Sequence, residues 1–148
     1  MKRVIIANDH GAIEIKQKLK AHLESRGYTV DDLGVDSEDS VDYPDMAKQA
    51  CAAFLKDGGY EFGVLCCGTG IGISISANKV KGIRCALPAN IFAATMGREH
   101  NNANFIAFGG RIDYWEAPEK MLDGFIDADF GGGRHGRRVE KIMGLEGC

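Results

Sequence analysis

The chain has 148 residues, of which 45% are hydrophobic and 26% charged, with a formal net charge of −3. That length predicts one domain over residues 1–148, with enough chain for a sizeable core. The slightly acidic balance argues against a general nucleic-acid binder.

The apolar run after Lys2 and Arg3 ends at Ala7, short of a secretory h-region. No stretch nears the ~20 apolar residues of a membrane span. The cysteines are Cys51, Cys66, Cys67, Cys85 and Cys148, an odd number without framework spacing. They predict thiols in a reducing cytoplasm, most of them small core residues.

In chain order, Arg3 to Ala7 reads as a strand whose continuous apolar run suits a buried parallel sheet. Gly11 to Arg26 reads as a helix, with Ala12, Ile15, Leu19 and Leu23 on one face, lysines and glutamates on the other, and Gly27 as its stop. His22 is expected at the surface of that helix. Tyr28 to Leu33 is a second strand, and Gly34 to Asp42 an acidic loop. Asp45 is expected to cap a second helix bearing Met46, Ala50 and Phe54, which ends at Gly58-Gly59.

Phe62 to Cys67 is a third strand. Gly68-Thr69-Gly70-Ile71-Gly72 leads from it into a helix running through Lys79. Arg84 to Leu87 is a short strand, with Pro88 placed in the first turn of a helix reaching about His100. Asn104 to Phe108 is a fifth strand, ended by Gly109-Gly110. Met121, Leu122, Phe125 and Ile126 mark another helix. After Gly131-Gly132-Gly133, a last helix carries Val139, Ile142 and Met143 on one side. Strands alternating with helices imply an α/β parallel sheet covered on both faces, with ligands bound beyond the carboxyl ends of its strands. Asp9-His10, Cys67 with its following turn, and Gly109 to Arg111 all fall there.

The strongest feature is Cys67 followed by Gly68-Thr69-Gly70-Ile71-Gly72. Amides at a helix start stabilise an anion and favour a nearby thiolate. A thiolate beside such donors suits proton abstraction next to a carbonyl, with the amides holding the enediolate oxygen. The alternative is a core cysteine before a tight turn. Strand alternation turns Cys66 the other way, into the core. The dinucleotide pattern G-x-G-x-x-G fails, because Ile73 stands where its last glycine belongs, and no Gly-Lys-Ser/Thr follows.

Asp9 reads either as a helix cap or as a substrate ligand. His10 reads as a surface residue or, if the first and third strands are neighbours, as a phosphate or proton-handling group near Cys67. His100 and Asn101 suit either sugar hydroxyls or a helix C-terminus. Arg134 and Arg138, four apart at the start of the last helix, form a phosphate clamp or a solvated basic face. Arg111 could add a cation. No zinc spacing appears among the histidines and cysteines, so no metal is expected.

Together these segments resemble the ribose-5-phosphate isomerase B family, with its galactose-6-phosphate and allose-6-phosphate isomerase relatives. The resemblance runs from Met1 to about Leu145. It rests on Ala7-Asn8-Asp9-His10-Gly11, Asp42-Tyr43-Pro44-Asp45, the Cys67 to Gly72 turn, Arg98 to Asn104, and the arginine-rich last helix. It implies a Rossmann-like three-layer α/β/α sandwich with a five-stranded parallel sheet. It implies an aldose–ketose isomerase acting through an enediol(ate) without cofactor, on ribose 5-phosphate or on a hexose phosphate. A non-catalytic phosphosugar-binding module is the rival reading.

By the same resemblance Cys67 is the base. Relatives without that cysteine use a glutamate farther along, where this chain has Ser76. Thr69 and the amides of Gly68, Gly70, Ile71 and Gly72 hold the enediolate. His100 opens the furanose ring with help from Asp9. Tyr43 and Asn101 contact the sugar, and His10, Arg111, Arg134 and Arg138 bind phosphate. The resemblance also implies a homodimer or homotetramer with shared active sites.

Overall fold

The computed structural model describes residues 2–147, so Met1 and Cys148 lie outside the described residues. Its elements alternate as β1 (Arg3–Asn8), α1 (Ile13–Ser25), β2 (Thr29–Asp32), α2 (Tyr43–Asp57), β3 (Tyr60–Cys67), α3 (Ile71–Asn78), β4 (Cys85–Ala86), α4 (Ile91–Glu99), β5 (Phe105–Gly109), α5 (Pro118–Asp127) and α6 (Arg134–Gly144). The strands form one parallel five-stranded sheet in the order β2-β1-β3-β5-β4. Helices cover both faces, giving the expected three-layer α/β/α sandwich.

Side-chain alternation along the strands divides the core in two. On one face, Leu19 and Leu23 of α1, Ala94 of α4, and Met121, Leu122 and Phe125 of α5 pack on Val4, Ile6, Val64, Cys66, Ile106 and Phe108. On the other, Met46, Ala47, Ala50 and Cys51 of α2 and Ile73 and Ala77 of α3 pack on Ile5, Ala7, Leu65, Cys67, Phe105 and Ala107. Each large apolar side chain buried this way contributes about 1.5–3 kcal/mol. The adjacent Cys66 and Cys67 therefore belong to opposite faces.

Several sequence expectations shift. The cap of α2 position is Asp42, not Asp45, and Pro44 stands in the first turn, where its missing N–H costs nothing. Pro88 precedes α4. Asn90 caps that helix, its side-chain oxygen accepting from the Ala93 amide at 2.8 Å. The α1 cap position is Ala12. Asp9 instead closes a local turn, with Oδ1 accepting from the Gly11 amide at 2.9 Å. His22 is not a bare surface group, because its Nε2 lies 2.7 Å from Asp123 Oδ1 and ties α1 to α5. Lys16, expected on the polar face of α1, is fully buried.

Helix α6 buries none of its residues, so its apolar stripe of Val139, Ile142 and Met143 lacks full cover within one chain. A second uncovered area flanks the two-residue edge strand β4. There Ile71 and Ile75 of α3 project on one side, and Leu87 and Phe92 on the other, with Phe92 71% exposed. Among the described residues, no helix is long and apolar enough to cross a membrane.

Candidate active site

The strand order puts the carboxyl ends of β1, β3 and β5 side by side. Asn8 pairs with Cys66, and Cys67 with Gly109. Cys67 is buried at the end of β3, and its Sγ accepts a hydrogen bond from the Gly70 amide at 3.2 Å. A donor aimed at sulfur stabilises negative charge there. Gly70 has φ +78°, and a Cβ on it would lie 2.9 Å from the Phe108 carbonyl carbon. Only glycine meets both conditions without strain.

Helix α3 begins directly after this turn. Its first backbone bond runs from the Ser74 amide to the Gly70 carbonyl. The Ile71 amide is taken by Thr69 Oγ1 at 3.2 Å. Gly72 and Ile73 stand at the helix start, where amides lack intrahelical acceptors and can meet an oxyanion. Tyr43, at the start of α2, lies over this turn, so closely that a Cβ on Gly72 would come within 2.5 Å of its ring.

The β1 end supplies Asp9 and His10. His10 Nδ1 accepts from the Val41 amide at 3.1 Å, which puts the proton of the neutral ring on Nε2. Arg111 follows β5, and its amide donates to the Gly68 carbonyl at 2.8 Å. Its guanidinium lies over both Gly11 and Gly68 and so spans the two turns. Among the described residues no carboxylate pairs with it. Asp9, His10, Tyr43, Cys67, Gly68, Thr69, Gly70, Ile71, Gly72 and Arg111 thus form one group: a buried thiol, amide donors and a cation.

His100, Asn101, Arg134 and Arg138 form a second group elsewhere. His100 caps the C-terminus of α4, and its ring stacks on His135 at 4.1 Å between centroids. Partial burial, with His100, Arg134 and Arg138 close by, pushes the His135 pKa below the ordinary histidine value. The turn behind them holds Asn102 at φ +45°. Arg84 donates to the Asn101 and Asn102 carbonyls of that turn. This group precedes β5, whereas Cys67 faces the far end of the same strand. Five residues of strand, about 13 Å, lie between the two ends. One chain therefore carries the two groups toward opposite ends of β5 and does not bring His100 to Cys67.

A family model described as Ribose/Galactose Isomerase matches residues 4–142. The chain belongs to that family. It is 40% identical to ribose-5-phosphate isomerase B of Escherichia coli over 99% of this chain and 97% of that one. The Clostridium thermocellum ribose-5-phosphate isomerase B structure superposes with a TM-score of 0.92 at 43% identity, covering 98% of this chain and 97% of the other. The Mycoplasma genitalium enzyme, solved with bound ribulose-5-phosphate, superposes at 0.91 with 37% identity, over 98% and 96% of the two chains.

Three residues that shape the site escape sequence reasoning. Asn8, fully buried, donates from Nδ2 to the Asp9 and Val35 carbonyls and accepts from the Val35 amide. The Tyr114 hydroxyl accepts from the Gly109 amide at 2.8 Å, beneath the strand end opposite Cys67. Lys16 supports the neighbouring loop from below. Lys16 and Tyr114 lie in no recognisable motif, and Asn8 lies within the Ala7 to Gly11 segment, whose sequence assigns it no role; a lysine within the apolar register of a helix is the one available signal. Cys66 matches its expectation, since burial pushes its thiol pKa up and leaves it an inert core residue. Among the described residues no group of three or more His, Cys, Asp or Glu is gathered as for a metal.

Proposed function

We propose that this chain is an aldose–ketose isomerase interconverting ribose 5-phosphate and ribulose 5-phosphate, with Cys67 as the base. The supporting observation is the Cys67 sulfur, buried at a strand end under the Gly70 amide, with the Arg111 guanidinium over the adjoining Gly68 turn and the His10 turn at the neighbouring strand end. The thiolate takes the C2 proton of the open-chain aldose. The C2–H electrons form the C1–C2 double bond, and the C1 carbonyl oxygen becomes the enediolate oxyanion. Amides at the start of α3 that no hydrogen bond of the turn engages, Gly72 first among them, hold that oxygen, while the Gly70 and Ile71 amides serve the Cys67 sulfur and Thr69. The C2 hydroxyl proton passes to the C1 oxygen and the thiol returns its proton to C1 as the C2 carbonyl forms, giving the ketose and restoring the thiolate. Thr69 supports the turn, and Asp9 lies beside it.

The second group belongs to the same reaction if two copies associate. His100 would open the furanose ring, Asn101 would contact sugar, and Arg134 and Arg138 would clamp phosphate, all supplied by a second copy to Cys67 of the first. The separation of the groups within one chain supports this, as do the uncovered apolar residues around β4 and on α6. We place the enzyme in a reducing cytoplasm, in keeping with the unpaired Cys51, Cys66, Cys67 and Cys85.

Turnover of ribose, allose and galactose phosphates in chelating buffer tests the reaction. Fast conversion of ribose 5-phosphate alone sustains the reading. Conversion of a hexose phosphate alone moves the substrate but keeps the mechanism. Full activity in Cys67→Ala would remove the thiol base. Mixing Cys67→Ala with His100→Asn subunits tests the shared site. Half of the dimers are then mixed, each with one intact site, so about a quarter of wild-type activity should return. No recovery would place both groups within one chain.

A further inference from the structure

Lys16 is the largest fully buried charged side chain, and the chemistry above does not use it. A buried ammonium is costly unless paired and hydrogen-bonded. Its Nζ lies 2.8 Å from Asp32 Oδ2 at the end of β2 and 2.6 Å from Asp36 Oδ1 in the loop beyond. Burial opposes the charge, but these two carboxylates outweigh it and raise the Lys16 pKa above its usual value. Gln17 Nε2 adds a 2.7 Å bond to the same Asp36 oxygen. Helix α1 thereby grips a loop whose residues Ser37 to Ser40 are otherwise exposed.

That loop leads to the substrate side. Its first part is stitched to β1 by Asn8, so tightly that a Cβ on Gly34 would fall 1.9 Å from Asn8 Oδ1. Its last part presents the Val41 amide to His10 Nδ1. Asp36 and His10 line one cavity of about 380 Å³, together with Gly11 and Gly110. A lone pair held at Nδ1 commits Nε2 to being the donor, the form that phosphate oxygen requires.

We propose that Lys16, through Asp36, is a positioning residue: it fixes the 33–42 loop so that Val41 holds His10 as an Nε2–H donor toward the substrate phosphate. This rests on the assignment of His10 to the phosphate site. Lys16 touches neither substrate nor His10 and acts only through the loop.

The test compares Asp36→Asn with Asp36→Ala. Both remove a negative charge beside the cavity, and only the first keeps an oxygen to accept from Lys16. Ring-nitrogen chemical shifts of His10 are recorded at alkaline pH, with His10→Asn identifying the signals. The KM for ribose 5-phosphate is measured alongside. In the wild type and Asp36→Asn, one tautomer with Nε2 protonated is expected. In Asp36→Ala both tautomers appear, and KM rises to about fivefold that of Asp36→Asn, the scale of one weakened hydrogen bond, with kcat within about twofold. Equal shifts and equal KM in the two variants overturn the proposal. His10→Asn separates it from the underlying assignment. A KM unmoved by that change removes His10 from the phosphate site, and the nitrogen shifts alone then decide whether the anchor holds the ring.

Discussion

Replacing Gly70 with alanine probes the geometry that presents the thiol. Gly70 has φ +78°, and an L-residue in that region costs about 1–2 kcal/mol. The added Cβ would lie 2.8 Å from Leu87 Cδ1 and 2.9 Å from the Phe108 carbonyl carbon. Leu87 can turn away. Phe108 cannot shift without disturbing the β3–β5 ladder, so the overlap adds about 1–3 kcal/mol. The sum, about 2–5 kcal/mol, lowers Tm by roughly 5–15 °C in a chain of this length. Any backbone shift also moves the amide that lies 3.2 Å from the Cys67 sulfur, and small misplacements at a reacting centre cost up to about 100-fold in rate. Gly27→Ala is the control. Gly27 has φ +89° with nothing within 4 Å of a new Cβ, so it carries only the conformational cost of about 1–2 kcal/mol and leaves turnover unchanged. Thermal melts and steady-state turnover of both variants decide. If Gly70→Ala melts with Gly27→Ala and turns over like the wild type, the tight approach of this turn to β5 does not govern the site.

Cys66→Ala should keep turnover within about twofold while losing about 1–2 kcal/mol in urea melts, whereas Cys67→Ala should lose 10²- to 10⁴-fold in kcat; similar losses from both would contradict their placement on opposite faces. Arg138→Ala should raise KM about tenfold or more by removing a charge-assisted contact to phosphate; steady-state kinetics with an unchanged KM would count against that role. Asp31 is held below the ordinary carboxylate range, first by the Tyr60 hydroxyl and then by Arg3. Its contribution to stability is therefore complete above about pH 4 and is lost as pH falls through its folded value. Urea melts should show Asp31→Asn clearly weaker than wild type at pH 7, with the gap closing toward pH 3; a gap that widens on acidification would reverse the sign argued here.

Much of the fold is legible because its determinants are local. The apolar runs Val4 to Ala7 and Val64 to Cys67 read as buried parallel strands, and period-two alternation already assigns Cys66 and Cys67 to different faces. The glycine turn reads equally well, since its residue types follow from backbone conformation. Long-range placement does not. Nothing local says that β5 rather than β4 lies beside β3, which is what carries Arg111 to the thiol. Nor does sequence spacing show that His100 and Cys67 sit at opposite ends of the sheet. Lys16 and His22 escape for a shared reason: their partners Asp32, Asp36 and Asp123 come from other segments of the chain. The caps at Asp42 and Asn90 differ from expectation because a nearby proline signals a helix start only to within a few residues.

Helix α6 has a consequence for the life of the chain. It buries no residue, and it is held by few contacts: the His135 ring on His100, Met143 accepting from Arg84, and the flanking Gly131 amide on the Glu99 carbonyl and Glu146 on the Gly82 amide. A segment with so little internal support opens at small free-energy cost. Exposed as it is, the segment is open to proteases, with Gly131-Gly132-Gly133 as the natural cleavage point. Cleavage there would remove Arg134 and Arg138 and leave the sheet and its thiol intact. The survival of the last helix in a cell extract is thus a direct gauge of how quickly its apolar stripe finds cover.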